Sequence, residues 1–506
     1  MLPAKQADRI SISQKNNMKK ISQHLGSDLP SGLVVFLVAL PLCLGVALAS
    51  NAPLFAGIIA GIVGGIIIGS LSGSSLSVSG PAAGLTAIVA VAIGKMPAYE
   101  AFLLSVVIAG VLQIIFGFLK AGILGDYVPN SVIRGMLAAI GIILIIKQLP
   151  HLLGYKLGFA PAAAGIGLVS VGILLLWDLP FFKKKKIFQF IPAPLVVVVT
   201  GIAISEALEQ GGSPHTLAPH HLVNLPVAGD LGDFSAFFRF PAWQHLANPQ
   251  VWITGLTIAL VASLETLLCI EAIDKLDPYN RSTPTNRELK AQGIGNFISG
   301  MVGGLPITSV IVRSSANLNA GGRTRLSTIV HGALLLLSVL LIPGLLNAIP
   351  LSALAAILVM TGYKLAKPTL FREFHRKGWD QFVPFVVTIA AILLTDLLIG
   401  ILIGTGVALF FLVRSNFHSA VMIVHDDNKY LLRFRKDVSF LNKPIVKQRL
   451  ETLPEGSLVL IDMTRADFID RDVLDVIDEF RHHAHLKNIR VELRKNSPAG
   501  VKHKAA

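Results

Sequence analysis

From Gly32 to Leu412 the chain is a run of apolar segments, joined by polar loops that are mostly short. About twenty apolar residues in a helix cross the ~30 Å hydrocarbon core of a bilayer. In lipid every backbone N–H and C=O must be paired within the protein, which leaves helices or closed barrels. Segments this long and this apolar predict helices, so the chain reads as a polytopic α-helical membrane protein. Composition agrees: 53% of the 506 residues are hydrophobic and 15% charged, with a mean hydropathy of +0.66. The net charge of +14 calls for no nucleic acid, because the basic residues sit mostly in loops and at the two ends. Cys43 and Cys269 lie inside apolar spans, with neither a disulfide framework nor a metal-binding spacing, and suit small-residue packing.

Fourteen spans are expected. The first seven are Gly32–Ser50, Leu54–Ser70, a half-span from Pro81, Phe102–Leu119, Ser131–Leu149, Ala162–Leu176 and Ile187–Ile204. The second seven are Val251–Ile270, Leu289–Val302, a half-span from Pro306, Thr328–Ile342, Leu351–Tyr363, Phe382–Leu397 and Ile399–Leu412. Loops after even-numbered spans carry the basic residues, among them Lys183–Lys186, Arg281, Arg287, Arg323, Arg325, Arg372 and Arg376. Loops after odd-numbered spans carry little more than Lys95, Lys156 and Arg239, and the long loop before span eight leans acidic at Glu206, Glu209, Asp230 and Asp233. The positive-inside rule then places both termini in the cytoplasm. The expected domains are a cytoplasmic tail over 1–28, a transporter domain over 29–414, a small α/β domain over 415–497 and a disordered basic tail over 498–506.

Two stretches break the hydrophobic pattern in the same way: SVSGPAAGLT at Ser77–Thr86 and GGLPITSVIVRSS at Gly303–Ser315. Proline is well tolerated in the first turn of a helix, so Pro81 and Pro306 read as the starts of half-helices at membrane depth. The free N–H groups and positive dipole end of each half-helix suit an anion. Paired interruptions in corresponding places of two halves are the sequence pointer to a transporter's binding site. Glycine and proline are also common in membrane helices without any such role. LVALPLCLGVALA from Leu37 resembles LVASLETLLCIEA from Leu260, and seven spans per half require the second half to be inverted.

Glu265 sits in the middle of span eight. A carboxylate at that depth marks an ion path or a proton relay, or else a hydrogen bond that packs helices. Arg313 follows Pro306 by about two helical turns and either attracts an anion or pairs with Glu265 or a loop carboxylate. Thr308, Ser309, Ser314, Ser79 and Thr86 supply hydroxyls, any of which is as apt to bond its own helix backbone. Glu271 and Asp274 lie nearer the cytoplasmic end and read as solvated. The cluster His482, His483 and His485 lacks zinc spacing, and no phosphate loop or nucleophile motif supports an ATPase or a hydrolase. After Arg414 short strands and helices alternate, including SLVLIDM at Ser457–Met463 and an amphipathic helix at Val473–His485, which suggests a small α/β domain.

Several stretches, in order, resemble the SulP family of inorganic anion transporters, the sulfate permease type. They are SVSGPAAGLTA, YVPNSVIRGMLAAIGIILIIKQLPHLLG, ASLETLLCIEAIDK, the run from NRELKAQGIGNFISG through RSSANLNAGGRT, and IPLSALAAILVMTGYKL. The tail, with VLIDMTRADFID before a helix, resembles a STAS domain. The resemblance implies a 7+7 inverted repeat with core and gate domains, a dimer, and elevator-like movement of the core. It implies an anion held between half-helices three and ten, by Ser79, Gly80, Pro81, Ala82 and Ala83 on one side. Pro306, Ile307, Thr308, Ser309 and Arg313 would hold it from the other. Glu265 matches the family's acidic residue on span eight, a proton or sodium site. The chain departs from the family at Pro41-Leu42-Cys43, where a Pro-Gln pair is common, and at Asp470-Arg471-Asp472, where Asp-Ser-Ser is common. The expected function is secondary active uptake of sulfate or bicarbonate across the plasma membrane, with H+ or Na+ as coupling ion and no other cofactor. An anion channel or sensor, or a carrier of dicarboxylates or nucleobases, is the alternative.

Overall fold

A computed structural model describes residues 24–123, 128–155, 160–179, 181, 191–211, 216–226, 237–395, 397–419, 421–434, 438–466 and 468–494. The expected tail up to residue 23, Lys156, Lys183–Lys186, Asp230, Asp233 and the basic tail 498–506 lie outside these. The chain divides into two compact units, Met1–Thr405 and Gly406–Ala506.

The first unit is helical. Its first seven segments are α1 (Leu25–Ala49), α2 (Leu54–Leu71), α3 (Thr86–Lys95), α4 (Tyr99–Phe118), α5 (Asn130–Leu152), α6 (Pro161–Trp177) and α7 (Ala193–Gln210). The next are α8 (Pro249–Asp274), α9 (Thr285–Met301), α10 (Ile311–Asn319), α11 (Leu326–Leu341), α12 (Leu351–Leu365) and α13 (Trp379–Leu394), and the division at Thr405 falls within α14 (Leu397–Ser419). Each expected span therefore has its helix among the described residues, and seven of them are long and apolar enough to cross a bilayer on those grounds alone. A surface helix, Pro368–Arg376, joins α12 to α13.

Two of the early helix starts have identifiable reasons. α1 begins at Leu25, inside the expected tail, because Asp28 is wholly buried. It accepts the N–H groups of Arg323 and Thr324 at 2.7 and 3.1 Å and the Thr324 hydroxyl. α9 begins four residues early, at Thr285, because its first turns carry polar side chains that are nevertheless buried.

The helices form two bundles. α1, α2 and α4 pack chiefly with α8–α11, and α5–α7 with α12 and α13, while α3 packs against α1, α4 and α5. In the first bundle glycines let α4 and α9 touch backbone to backbone: a β-carbon on Gly293 would stand 2.7 Å from the Gly110 carbonyl oxygen. Small residues at such contacts replace the hydrophobic drive that lipid cannot supply.

The second unit contains a four-stranded sheet of β3 (Val421–Asp426), β4 (Lys429–Phe434), β5 (Leu458–Asp462) and β6 (Arg490–Arg494), in that order. β3 and β4 are antiparallel; β4, β5 and β6 are parallel. Parallel neighbours need crossovers, supplied by α15 (Lys443–Glu451) and α16 (Arg471–His483). Phe434, Val446, Val459, Ile461 and Val473 are fully buried between sheet and helices. Asp470 caps α16, its side chain accepting the Asp472 N–H at 3.0 Å. The expected boundary at 414 falls inside α14, which runs unbroken to Ser419.

Candidate anion site

The two Gly/Pro breaks meet. Ser79–Pro81 (β1) and Ile307–Ser309 (β2) form a two-stranded antiparallel sheet with Ser79 opposite Ser309, Gly80 opposite Thr308 and Pro81 opposite Ile307. The Val310 N–H donates to the Val78 carbonyl at 2.9 Å. Pairs that exchange backbone bonds alternate along an antiparallel ladder, so Gly80 and Thr308 form the next exchanging pair. Pro81 faces Ile307 at a non-exchanging position, where its missing N–H leaves no gap. Consistently, the Ile307 and Ser309 N–H groups turn elsewhere, to Asn296 Oδ1 at 2.6 Å and Thr266 Oγ1 at 3.2 Å.

This corrects the expectation that Pro81 and Pro306 begin half-helices. Pro81 lies in β1 and Pro306 directly precedes β2, and each helix starts later: a 3-10 turn at Ala83–Leu85 leads into α3, and Val310 precedes α10. The anion-binding logic survives the shift. Among the described residues no acceptor is found for the N–H groups of Ala82, Ala83 and Gly84, or of Ile311, Val312 and Arg313. These are the orphan donors that every helix start leaves.

Arg313 is completely buried, in the first turn of α10. Its Nη2 donates to the Pro81 carbonyl at 3.4 Å, while Nε and Nη1 have no hydrogen-bond partner. The Cys43 thiol from α1 lies against the same guanidinium. No carboxylate is within ion-pair distance of it among the described residues. Glu265, from the middle of α8, points toward Gly84; a β-carbon there would be 2.6 Å from Oε1. The Thr308 hydroxyl sits against this carboxyl, and Oε2 has no partner. Arg313, Glu265, Pro81, Ala83, Gly84 and Ser309 share the wall of one cavity of about 70 Å³, with Leu42, Val46 and Met136 as its apolar side. That is room for a few waters or one small oxyanion.

Other sequence candidates resolve differently. The Thr86 and Ser314 hydroxyls bond their own helices, at Ala83 O and Val310 O, although Ser314 also accepts the Val78 N–H at 2.9 Å. Ser79 faces away from the cavity and accepts from Gln292 Nε2 at 2.7 Å. Glu271 pairs with exposed Lys275 at 2.6 Å, and Asp274 accepts the Thr283 N–H and hydroxyl at 2.6 and 2.7 Å.

A buried polar stripe on α9 was not anticipated. Glu288, Gln292, Asn296 and Ser299 are each wholly buried. Asn296 donates to the Ile307 carbonyl at 2.9 Å and to Gln113 Oε1 at 2.7 Å. Ser299 donates to the Leu305 carbonyl at 2.7 Å. Glu288 accepts from the Ser72 hydroxyl at 2.5 Å, the Gly73 N–H at 3.1 Å and Gln292 Nε2 at 3.0 Å. Asn296 and Ser299 thereby satisfy irregular backbone at and just before the crossing, which is tolerated at membrane depth only when protein supplies its bonds. Their spacing of four, four and three residues within NRELKAQGIGNFISG, one face of a helix, is the signal that could have found them.

The Sulfate permease family matches residues 25–390. The chain belongs to the sulfate permease family. Among relatives of this sulfate permease family member, YvdB of Bacillus subtilis (strain 168), a candidate sulfate transporter by name, is 28% identical over 447 residues, covering 82% of this chain and 79% of YvdB. The bicarbonate transporter BicA of Picosynechococcus sp. is 27% identical over 412 residues, covering 76% of this chain and 70% of BicA. The solved transmembrane domain of a cyanobacterial BicA superposes with a TM-score of 0.60 at 27% identity, over 74% of this chain and 97% of that domain. The murine Slc26a9 anion transporter, solved in an inward-facing state, shares the fold with a TM-score of 0.72 at 18% identity, over 93% of this chain and 85% of its own. The family and these relatives are membrane transporters, not enzymes.

Proposed function

We propose that the protein is a secondary active transporter of a small inorganic oxyanion, with bicarbonate favoured over sulfate. One observation carries this reading: a fully buried guanidinium with free N–H groups shares a small cavity with two helix starts whose N–H groups are unpaired. A buried charge without a partner is costly, and an anion removes that cost while accepting the waiting donors. Ala82, Ala83 and Gly84 from one half and Ile311, Val312 and Arg313 from the other would hold it.

Glu265 would bind the coupling cation, either a proton on its free oxygen or a sodium ion shared with Thr308. Charge counting favours a monoanion. The cavity wall carries one guanidinium and one carboxylate, so one monovalent cation with bicarbonate leaves the loaded site neutral. Sulfate with one cation leaves it at −1, which low dielectric penalises.

The two helix bundles support an elevator-like cycle in which the bundle carrying the crossing moves against α5–α7, α12 and α13. The basic loops support a plasma-membrane orientation with both termini cytoplasmic, and by the family resemblance the working unit would be a homodimer carrying STAS-like domains. The test is uptake into proteoliposomes of labelled bicarbonate or sulfate under imposed sodium or proton gradients. Bicarbonate accumulation driven by either cation is expected. Accumulation of sulfate alone would overturn the charge-counting argument, and accumulation of neither would overturn the transport reading.

A further inference from the structure

We propose that the surface helix Pro368–Arg376 and the start of α13 form a binding site for the headgroup of an anionic phospholipid. The helix has a sharply divided surface. Phe374 is buried and stacks on Phe385 of α13 at a centroid distance of 4.7 Å, while Arg372, His375 and Arg376 are exposed. Gly378, with φ +110°, then turns the chain into α13.

At this turn a cavity of about 330 Å³ opens, lined by Phe371, Arg372, His375, Arg376 and Phe382. Arg372 and Arg376 are one helical turn apart and have no ion-pair partner among the described residues. The only carboxylate on the helix, Glu373, is already held by Lys377 at 2.6 Å. From Lys364 to Asp380 there are five Lys and Arg residues against two carboxylates, and Arg134 of α5 adds a further cation near Glu373.

The ring geometry supplies the other half of a lipid site. His375 packs edge-on against Trp379 and Phe382 at 5.7 and 5.2 Å, so the cavity has an aromatic floor beneath a cationic rim. Trp379 is 66% exposed at the beginning of an apolar helix, as a residue seated at headgroup level would be. Two planar guanidinium groups match the oxygens of a phosphodiester, and the aromatic floor takes the glycerol and the first acyl carbons. A free soluble anion would use the rim and leave the floor bare, so the occupant is a lipid. Basic amphipathic helices at an interface are drawn to anionic lipids on the same grounds.

The full-length protein, purified in mild detergent, would be mixed with phosphatidylglycerol or with phosphatidylcholine and the retained lipid counted by native mass spectrometry. Retention of phosphatidylglycerol over phosphatidylcholine is expected. R372A/R376A should weaken phosphatidylglycerol retention by about tenfold, and R372K/R376K by less. K364A/K367A, which removes equal charge outside the cavity, should retain the lipid as the unaltered protein does. Melting temperature, read on each variant, separates lost binding from lost folding, and the lysine pair gives the answer should the alanine pair unfold. Equal retention of both lipids, or equal losses in R372A/R376A and K364A/K367A, would overturn the site. Displacement of the lipid by millimolar inorganic phosphate would show a soluble-anion site instead and would also overturn it.

Discussion

The guanidinium of Arg313 lies directly against the backbone of Gly80, so that a β-carbon added to this glycine would collide with Nη1. The charged group of one half is thereby seated on the extended crossing strand of the other half, where it donates to the Pro81 carbonyl.

Gly80→Ala should therefore act like a lesion in Arg313. Alanine is acceptable in an extended strand, so the fold should persist while the guanidinium is pushed out of place. Losing a hydrogen bond to a charged group costs about 1.5–3 kcal/mol, and uptake should fall roughly 10- to 100-fold. Proteoliposome uptake beside a melting curve checks this; normal uptake would mean that Arg313 does not touch the anion.

Arg313→Gln keeps polarity and removes charge. The KM for the anion should rise by about the same 10- to 100-fold, with a smaller rise for Arg313→Lys, which keeps the charge and loses the planar fork. Titration of initial uptake rates against anion concentration provides the readout.

Glu265→Gln should separate coupling from binding. Gradient-driven accumulation should vanish, whereas exchange of labelled for unlabelled anion at equal concentrations should continue. Gly84→Ala should reproduce part of this effect, because its β-carbon would stand 2.6 Å from Glu265 Oε1. If Glu265→Gln still accumulates anion under the gradient, the carboxylate is not the coupling group.

Asn296→Leu should destabilise the whole first bundle. It leaves the Ile307 N–H and C=O groups without their partner, and each unsatisfied buried group costs about 1–3 kcal/mol. A lower melting temperature is expected, with loss of transport even in protein that stays folded.

In the second unit, the Thr464 hydroxyl, donating to Asp462 at 2.6 Å, holds that carboxyl below the usual carboxylate range. Arg433 at 2.8 Å helps, against the opposing effect of burial. A carboxyl whose folded pKa is depressed adds stability above its unfolded value, near 4, and loses it as the pH falls through the folded value. Asp462→Asn should thus destabilise the sheet at pH 7 by about 1–2 kcal/mol, and the difference should close below about pH 4. Hydrogen exchange of β4 and β5 at the two pH values would read it.

Much of this was legible in the residues. The fourteen segments announce themselves by length and apolarity, and Glu265 and Arg313 stand out as charges where charge is costly. What could not be read was the pairing of Ser79–Pro81 with Ile307–Ser309. Three-residue strands have no alternating pattern to detect, and a strand's partner here lies in the other half of the chain. Proline misled in the same place, since a first helical turn and a non-exchanging strand position tolerate it equally well. The stripe from Glu288 to Ser299 went unnoticed because polar side chains in a marginally apolar segment look like a loop boundary until their bonds are seen.

The crossing also bears on how such a protein is made. Ser79, Gly80 and Pro81 pair as a strand with residues 307–309, which emerge from the ribosome long after α7. A nascent chain that stops after seven spans holds one strand of a two-stranded sheet, a third span too short to settle in lipid, and no pocket. The second half thus acts as the template on which the first half finishes folding, so truncated or separately expressed halves should be degraded unless they are supplied together.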